Sequence, residues 1–289
     1  MPIAFDEVSF SYEGERGPRA LDSVSFDIRD GEFFGIAGHT GSGKSTLIQH
    51  MNGLLSPTRG RVIVDGGDLA DKHHAAACRG RIGVVFQYPE HQLFAATVRE
   101  DVAFGPRNLG LAAEEVAQRV DRAIATVGLD AETVGDMSPF ELSGGQQRRV
   151  ALAGVIAMAP TTLVLDEPAA GLDPQGRAGL LALIGELHAN GLTIVMVSHS
   201  MDDLARMADR ILVLNAGRVE TLDAPAAVFS RADELRAIGL DVPAAASFAA
   251  QLRGDGFDLP QALYDVESLA DDIAAQLGYG ERANEGRRG

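Results

Sequence analysis

Short, wholly apolar runs alternate along this chain with longer segments in which apolar positions recur every three or four residues. Phe33-Phe-Gly-Ile-Ala37, Thr161-Thr-Leu-Val-Leu165 and Thr193-Ile-Val-Met-Val197 read as buried strands, because they are brief and end in turn formers or polar residues. Ser45 to Met51, Ala113 to Val127 and Val150 to Ala157 carry the helical period instead. The opening segment alternates apolar with polar, as in Val8-Ser-Phe10 and Val24-Ser-Phe-Asp-Ile28, with Gly14 to Pro18 as a turn-forming loop between. Residues from about 90 to 157 are mainly helical in pattern, and strand and helix alternate again from Leu163 to Leu214. That order predicts an α/β unit with a largely parallel sheet, preceded by an antiparallel β-subdomain. Beyond Gly217 the pattern changes: Pro225 to Gly239 is helical, and Leu240 to Gly289 is a helix-and-loop tail without phosphate chemistry.

Between the first buried strand and its helix stands Gly38-His39-Thr40-Gly41-Ser42-Gly43-Lys44-Ser45-Thr46, which fits G-x-x-x-x-G-K-[ST] in the strand-loop-helix setting where that pattern has meaning. A triphosphate needs backbone N–H groups free of side chains, and Gly38, Gly41 and Gly43 let the loop curl to offer them at a helix start. Lys44 would reach the β- and γ-phosphates of ATP, and the Ser45 hydroxyl would ligate Mg²⁺. An ordinary glycine loop is the alternative. The bare pattern arises by chance in about one chain in a hundred of this length, and the flanking strand and helix lower those odds.

The strand at Leu165 runs into Asp166-Glu167-Pro168, acids followed by a breaker. Taken alone this is more often a solvated turn. Downstream of a phosphate loop it becomes a catalytic pair, Asp166 holding the Mg²⁺ shell and Glu167 orienting or deprotonating the attacking water.

Leu142-Ser143-Gly144-Gly145-Gln146, expected by chance in about one chain in a thousand, resembles the signature motif of ATP-binding-cassette (ABC) ATPases. Other marks of that superfamily follow in order: Tyr12 at the adenine-stacking position, Gln87 of the Q-loop, which also borders the metal, Asp173 in Ala170-Gly-Leu-Asp173, and His199 after the third strand, as a catalytic partner of Lys44 and Glu167. Each is weak alone; Tyr12 reads equally as a surface aromatic, Gln87 as a loop amide and His199 as a strand-end cap. Their number and order reverse that balance over roughly residues 3 to 220. The resemblance implies a P-loop NTPase fold of the ABC type: a RecA-like mixed or parallel sheet core, an antiparallel β-subdomain, a helical signature subdomain at about 90–157, and a small helical extension over 221–289. It also implies a head-to-tail dimer in which Ser143, Gly144, Gly145 and Gln146 close over a partner's nucleotide.

Composition restricts what such a motor moves. The chain has 289 residues, 46% of them hydrophobic, and no apolar stretch long enough to span a bilayer; no signal peptide is expected at Met1-Pro-Ile-Ala-Phe-Asp. Whatever crosses the membrane is then another chain. The single Cys78 excludes an internal disulfide and suits a reducing cytosol, and beside His73 and His74 it lacks zinc spacing, so a polar loop is expected there. A net charge of −16 weighs against nucleic-acid partners, and Arg148 with Arg149 is too little for a basic stripe; an ion-pair role at the helix start is the plainer reading.

More narrowly, Gln87-Tyr-Pro-Glu-His-Gln-Leu-Phe94, Gly38-His-Thr40, Ser138-Pro-Phe-Glu-Leu142, Gly239-Leu-Asp-Val-Pro243 and Phe257-Asp-Leu-Pro260 resemble the ATPase subunits of energy-coupling-factor transporters, and among them the second of two paralogues. Those transporters import vitamins or transition-metal ions. The implied partners are a paralogous ATPase, or a second copy of this chain, together with a transmembrane coupling subunit and a membrane-embedded substrate binder, on the cytoplasmic face of the membrane. The tail would then serve dimerisation, and Gln87 to Phe94 would border the groove for a coupling helix, with core packing an even alternative for each of Tyr88, Leu93 and Phe94. Ala169 stands where many relatives carry Ser or Thr. A soluble ABC ATPase of DNA repair or translation is a weaker reading, since no coiled-coil insertion, zinc module or second cassette is present, and a P-loop kinase or GTPase leaves Leu142 to Gln146 without purpose.

Overall fold

The computed structural model describes residues 1–14, 17–260 and 263–277. Parts of the turn at 14–18 and of the tail, including all of 278–289, therefore lie outside the described residues.

The alternating opening folds as expected into an antiparallel sheet. Strands β1 (Ile3–Phe10), β2 (Leu21–Ile28), β4 (Arg59–Val64) and β5 (Gly67–Asp68) lie in the order β2-β1-β4-β5. The apolar runs form the second sheet, ordered β10-β9-β3-β8-β7-β6, from β3 (Phe33–Ala37), β6 (Ile82–Val85), β7 (Thr162–Asp166), β8 (Thr193–Val197), β9 (Arg210–Asn215) and β10 (Arg218–Asp223). Its strands are parallel except β10, which returns antiparallel to β9. Both faces are covered, which is why β3 and β8 are buried at every position and read as unbroken apolar runs.

Successive residues of β3 serve two different cores. Phe34 and Ile36 face α1 (Lys44–Met51), α2 (Lys72–Arg79) and the antiparallel sheet, whereas Phe33 and Ala37 join the helical side. That side is built by α3 (Val98–Asn108), α4 (Ala113–Thr126), α5 (Ala131–Val134), α6 (Gly144–Ile156), α7 (Pro174–Ala189) and α8 (Met201–Met207). The expected helix over Ala113 to Val127 is α4, while Lys72 to Arg79 is helical rather than the polar loop that its histidines suggest. Asp71 caps this helix by accepting from His73 N and His74 N, and it turns Ala75 and Cys78 inward.

Pro225 to Gly239 is helical in two pieces, α9 (Pro225–Phe229) and α10 (Ala232–Ala237), which pack with Leu240 and Val242 onto the main core. A separate small cluster begins only in α11 (Ala244–Gly254), where Ala245, Ala249, Leu259 and Leu263 meet Leu269 of α12 (Val266–Gln276). Among the described residues no helix is long and apolar enough to cross a membrane.

Candidate active site

The C-terminal ends of β3, β6, β7 and β8 lie side by side, and the loops that leave them carry the residues singled out from the sequence. Register pairing of Val85 with Leu165 brings Gln87 off the same sheet edge as Asp166 and Glu167, and pairing of Asp166 with Val197 does the same for His199. A parallel sheet thus gathers residues distant in sequence.

The loop between β3 and α1 is tight for reasons visible in its surroundings. A Cβ at Gly38 would collide with Ser42 Oγ and come within 2.6 Å of the Leu214 carbonyl oxygen. Gly43 caps α1 at φ +108°, where a Cβ would sit 2.5 Å from the Ala20 carbonyl oxygen. Lys44 folds back over the loop, its Nζ donating to the carbonyls of Gly38 at 2.6 Å and His39 at 3.0 Å. Burial lowers the Lys44 pKa, against the opposite pull of Glu167 and Asp166. His39 Nδ1 meets the Thr40 carbonyl at 2.8 Å, its Nε2 lies 3.3 Å from Asn215 Oδ1, and the buried Ser42 Oγ has no hydrogen-bond partner.

Burial raises the pKa of Asp166, while Lys44 and the Ser45 hydroxyl beside it pull the other way. Ser45 and Asp166 thereby bring two hard oxygen donors together beside a phosphate loop, which suits Mg²⁺, an ion that takes few protein ligands and keeps several waters. Glu167 stands next to them at φ +50°, a left-handed conformation that costs a non-glycine residue about 1 to 2 kcal/mol. Its Oε2 accepts from the His199 backbone N–H at 3.3 Å. The other oxygen, Oε1, is buried and accepts no hydrogen bond, although His199 Nε2 lies 3.4 Å away. Burial and Lys44 hold the His199 pKa down, so this ring is neutral near pH 7 and forms a contact there, not an ion pair. Burial, together with the neighbouring Asp166 and Asp203, pushes the Glu167 pKa up to about 6 despite the His199 N–H and Lys44. A carboxylate so tuned is ionised at neutral pH yet basic enough to take a proton.

Tyr12 is 63% exposed, its hydroxyl 3.0 Å from Thr46 Oγ1 and its ring edge-on to Phe10, which leaves an aromatic surface open beside the phosphate loop. Asp173 caps α7, accepting from Gly176 N at 2.7 Å. Of the three residues with core packing as an alternative, Leu93 is buried, whereas Phe94 is 61% and Tyr88 41% exposed.

The signature stands apart. Ser143 caps α6 in a reciprocal capping box with Gln146, and among the described residues no hydrogen bond joins Ser143 to Gln146 with the phosphate loop. Gly144 and Gly145 are exposed, and a Cβ at either would meet nothing within 4 Å. Glycine in a helix costs about 1 kcal/mol relative to alanine, so the chain's own folding gives no reason for these two.

One cluster escaped sequence reasoning. Arg148 does form an ion pair, but its partner is Glu90, 58 residues away, and the residue is only 4% exposed. An arginine four residues before the buried Leu152 on one helix face was the available signal.

Comparison with known proteins agrees with this geometry. The ABC transporter family profile matches residues 21–170, a little over half of the chain. The energy-coupling factor transporter ATP-binding protein EcfA2 of Symbiobacterium thermophilum is 57% identical over 281 residues, covering 96% of each chain, and that of Clostridium perfringens is 52% identical over 256 residues, 88% of this chain and 90% of the relative. Among solved structures, cbiO1 of Clostridium perfringens, part of the ABC transporter complex cbiONQ, superposes with a TM-score of 0.72 at 37% identity over 82% of this chain and 93% of that one. The dimeric cassette MJ0796, bound to ADP and phosphate in a post-hydrolysis state, gives 0.69 at 31% identity over 77% and 98%. Sheet order, phosphate loop, paired acids and these likenesses together place the chain in the ABC transporter family, among the ATP-binding, ATP-hydrolysing proteins of energy-coupling-factor transporters.

Proposed function

We propose that this chain hydrolyses Mg²⁺-ATP at the sheet edge described above and passes the resulting motion to membrane subunits that import a small solute, a vitamin or a transition-metal ion. The observation that carries the catalytic assignment is the buried Glu167 carboxylate, raised in pKa, with one oxygen unpartnered beside Asp166 and Lys44. In this reading the phosphate loop from Gly38 to Thr46 wraps the triphosphate with its N–H groups, and Lys44 exchanges its two carbonyl contacts for β- and γ-phosphate oxygens. The exposed ring of Tyr12 stacks on adenine. Ser45, Asp166 and Gln87 would hold Mg²⁺, which when bound would neutralise charge on the phosphate oxygens. Glu167 accepts the proton of the attacking water, and His199 lines the γ-phosphate from the neighbouring strand end.

The signature serves a second subunit, a paralogous ATPase or another copy of this chain. Gly144 and Gly145 have open space in front of them and no intrachain need to be glycine, as expected of a surface that must admit a partner's nucleotide phosphates. Asp173 lies at the start of α7 as part of the loop that follows the paired acids. The helical extension adds to the dimer contact. The exposed, edge-to-face Phe94 and Phe104 with Leu109 line a cavity of about 480 Å³, an apolar seat suited to a helix of a transmembrane coupling subunit. A separate membrane-embedded protein binds the solute, and the chain works at the cytoplasmic face.

Lys44→Ala removes the only side-chain cation assigned to the phosphates, so ATP affinity falls by about a hundredfold or more, as two charge-assisted bonds at roughly 1.5 kcal/mol or more each require. Equilibrium binding of a fluorescent ATP analogue measures this, and unchanged affinity contradicts the role given to Lys44. Purification of the tagged full-length chain from detergent-solubilised native membranes tests the assembly. The expected co-purifying proteins are a coupling subunit and a small hydrophobic binder; a pair of permeases with an extracytoplasmic binding protein would assign the chain to another importer class.

A further inference from the structure

Arg148 makes more contacts than an ion pair needs. Its Nε and NH2 donate to the two Glu90 oxygens at 3.0 and 2.8 Å, while NH1 donates to the carbonyls of Pro168 at 3.1 Å and Ala170 at 2.7 Å. The two carbonyls belong to the turn that begins at Glu167, closed by the Ala170 N–H donating to the Glu167 carbonyl at 3.1 Å. The turn's first residue is the one held at φ +50°. Glu90 lies in a 3₁₀ turn, Pro89–Gln92, directly before Leu93 and Phe94 of the apolar cavity. The guanidinium also lies over Tyr88, just before that turn, 6.0 Å from the ring centroid.

We propose that Arg148 is a positioning residue for hydrolysis: its buried guanidinium bridges from Glu90 to the Pro168 and Ala170 carbonyls and so holds the turn that aims the Glu167 carboxylate. A left-handed residue persists only where its surroundings over-determine it. Here Val197, through the Glu167 N–H at 3.1 Å, fixes the residue from the strand side, and Arg148 fixes the turn from the other. Without the guanidinium the turn loses two donors, Glu167 relaxes toward a right-handed backbone, and its carboxylate leaves the line of attack. The fork geometry matters, because one point charge cannot serve a carboxylate and two carbonyls at once. The inference rests on Glu167 being the base, as proposed above.

Steady-state and single-turnover hydrolysis by the full-length protein test it, using Arg148→Met, Arg148→Lys and the paired Glu90→Gln/Arg148→Met, which leaves no lone buried carboxylate. Arg148→Met and the paired variant are expected to lose about tenfold to a hundredfold in kcat, the range for a misplaced catalytic group, with KM for ATP within about twofold of the parent. Arg148→Lys restores less than half of that loss. In a Glu167→Gln background, Arg148→Met lowers the residual single-turnover rate no further, because both changes disable the same step. The paired variant supplies the folding control through its melting temperature. Parental kcat in the paired variant, full rescue by lysine, or an equal further loss in the Glu167→Gln background each overturns the proposal. Parental turnover in Glu167→Gln alone overturns the assignment of the base instead, so the two failures are distinct.

Discussion

Glu167→Gln is expected to lower hydrolysis by about a hundredfold to ten-thousandfold, the span for losing a general base, while ATP binding persists and a nucleotide-bound dimer accumulates. In the parent, kcat/KM should fall as pH drops below about 6, where burial has placed the Glu167 pKa. The same substitution has an opposite effect on stability. The Glu167 pKa is raised by folding from its ordinary value of 4.5 to about 6, so its protonated form suits the folded state better than its ionised form. That contribution is fully present below pH 4.5 and is lost as pH rises through about 6, which leaves the ionised carboxylate costing about 2 kcal/mol at pH 7.5. Glutamine carries no such charge. The variant should therefore melt a few degrees above the parent at pH 7.5, with the gap closing by pH 4.5. Calorimetric melts across that range check the sign; a constant difference would refute the linkage, and normal turnover would remove Glu167 from the chemistry.

Ser143→Arg is expected to abolish hydrolysis in the dimer while the isolated chain still binds ATP with Kd within about twofold of the parent. The new side chain fills the open ground before Gly144 and Gly145, where the partner's phosphates are proposed to arrive. Driving a dimer from mostly open to mostly closed takes about 5.5 kcal/mol of preferential binding, and blocking the contacts to one γ-phosphate removes most of it. Loss of the Ser143 cap adds only about 1 kcal/mol of destabilisation to α6, too little to unfold the chain. Light scattering with ATP and a chelator reports closure, and filter binding reports docking. A variant that cannot dock ATP as an isolated chain would place the signature in the same site as its own phosphate loop.

The features legible in the sequence are those whose physics is local. Strands β3, β7 and β8 lie in a sheet covered on both faces, so burial leaves no polar alternation and the runs stand out. The phosphate loop is legible because dense anionic charge demands bare N–H groups next to a helix start, and few residues satisfy that. Contacts made across the fold left fainter marks. Glu90 and Arg148 carry no shared period, and nothing in Pro225 to Gly239 announces that the helix breaks between Phe229 and Ala232. The Lys72 to Arg79 helix was readable in principle from the Asp71 cap and the inward Ala75 and Cys78, but two adjacent histidines obscured it. Tyr12 is informative in a different way: its position beside Thr46 required the fold, since the two residues are 34 positions apart in sequence.

The vacant ground before Gly144 and Gly145 has a bearing on the robustness of the lone polypeptide. Alanine at both positions, the first two of α6 after the Ser143 cap, would strengthen the helix by at most about 1 kcal/mol, a margin the lone polypeptide forgoes. On the proposed reading, contacts between these two glycines and a partner's nucleotide would offset that deficit in the assembled dimer.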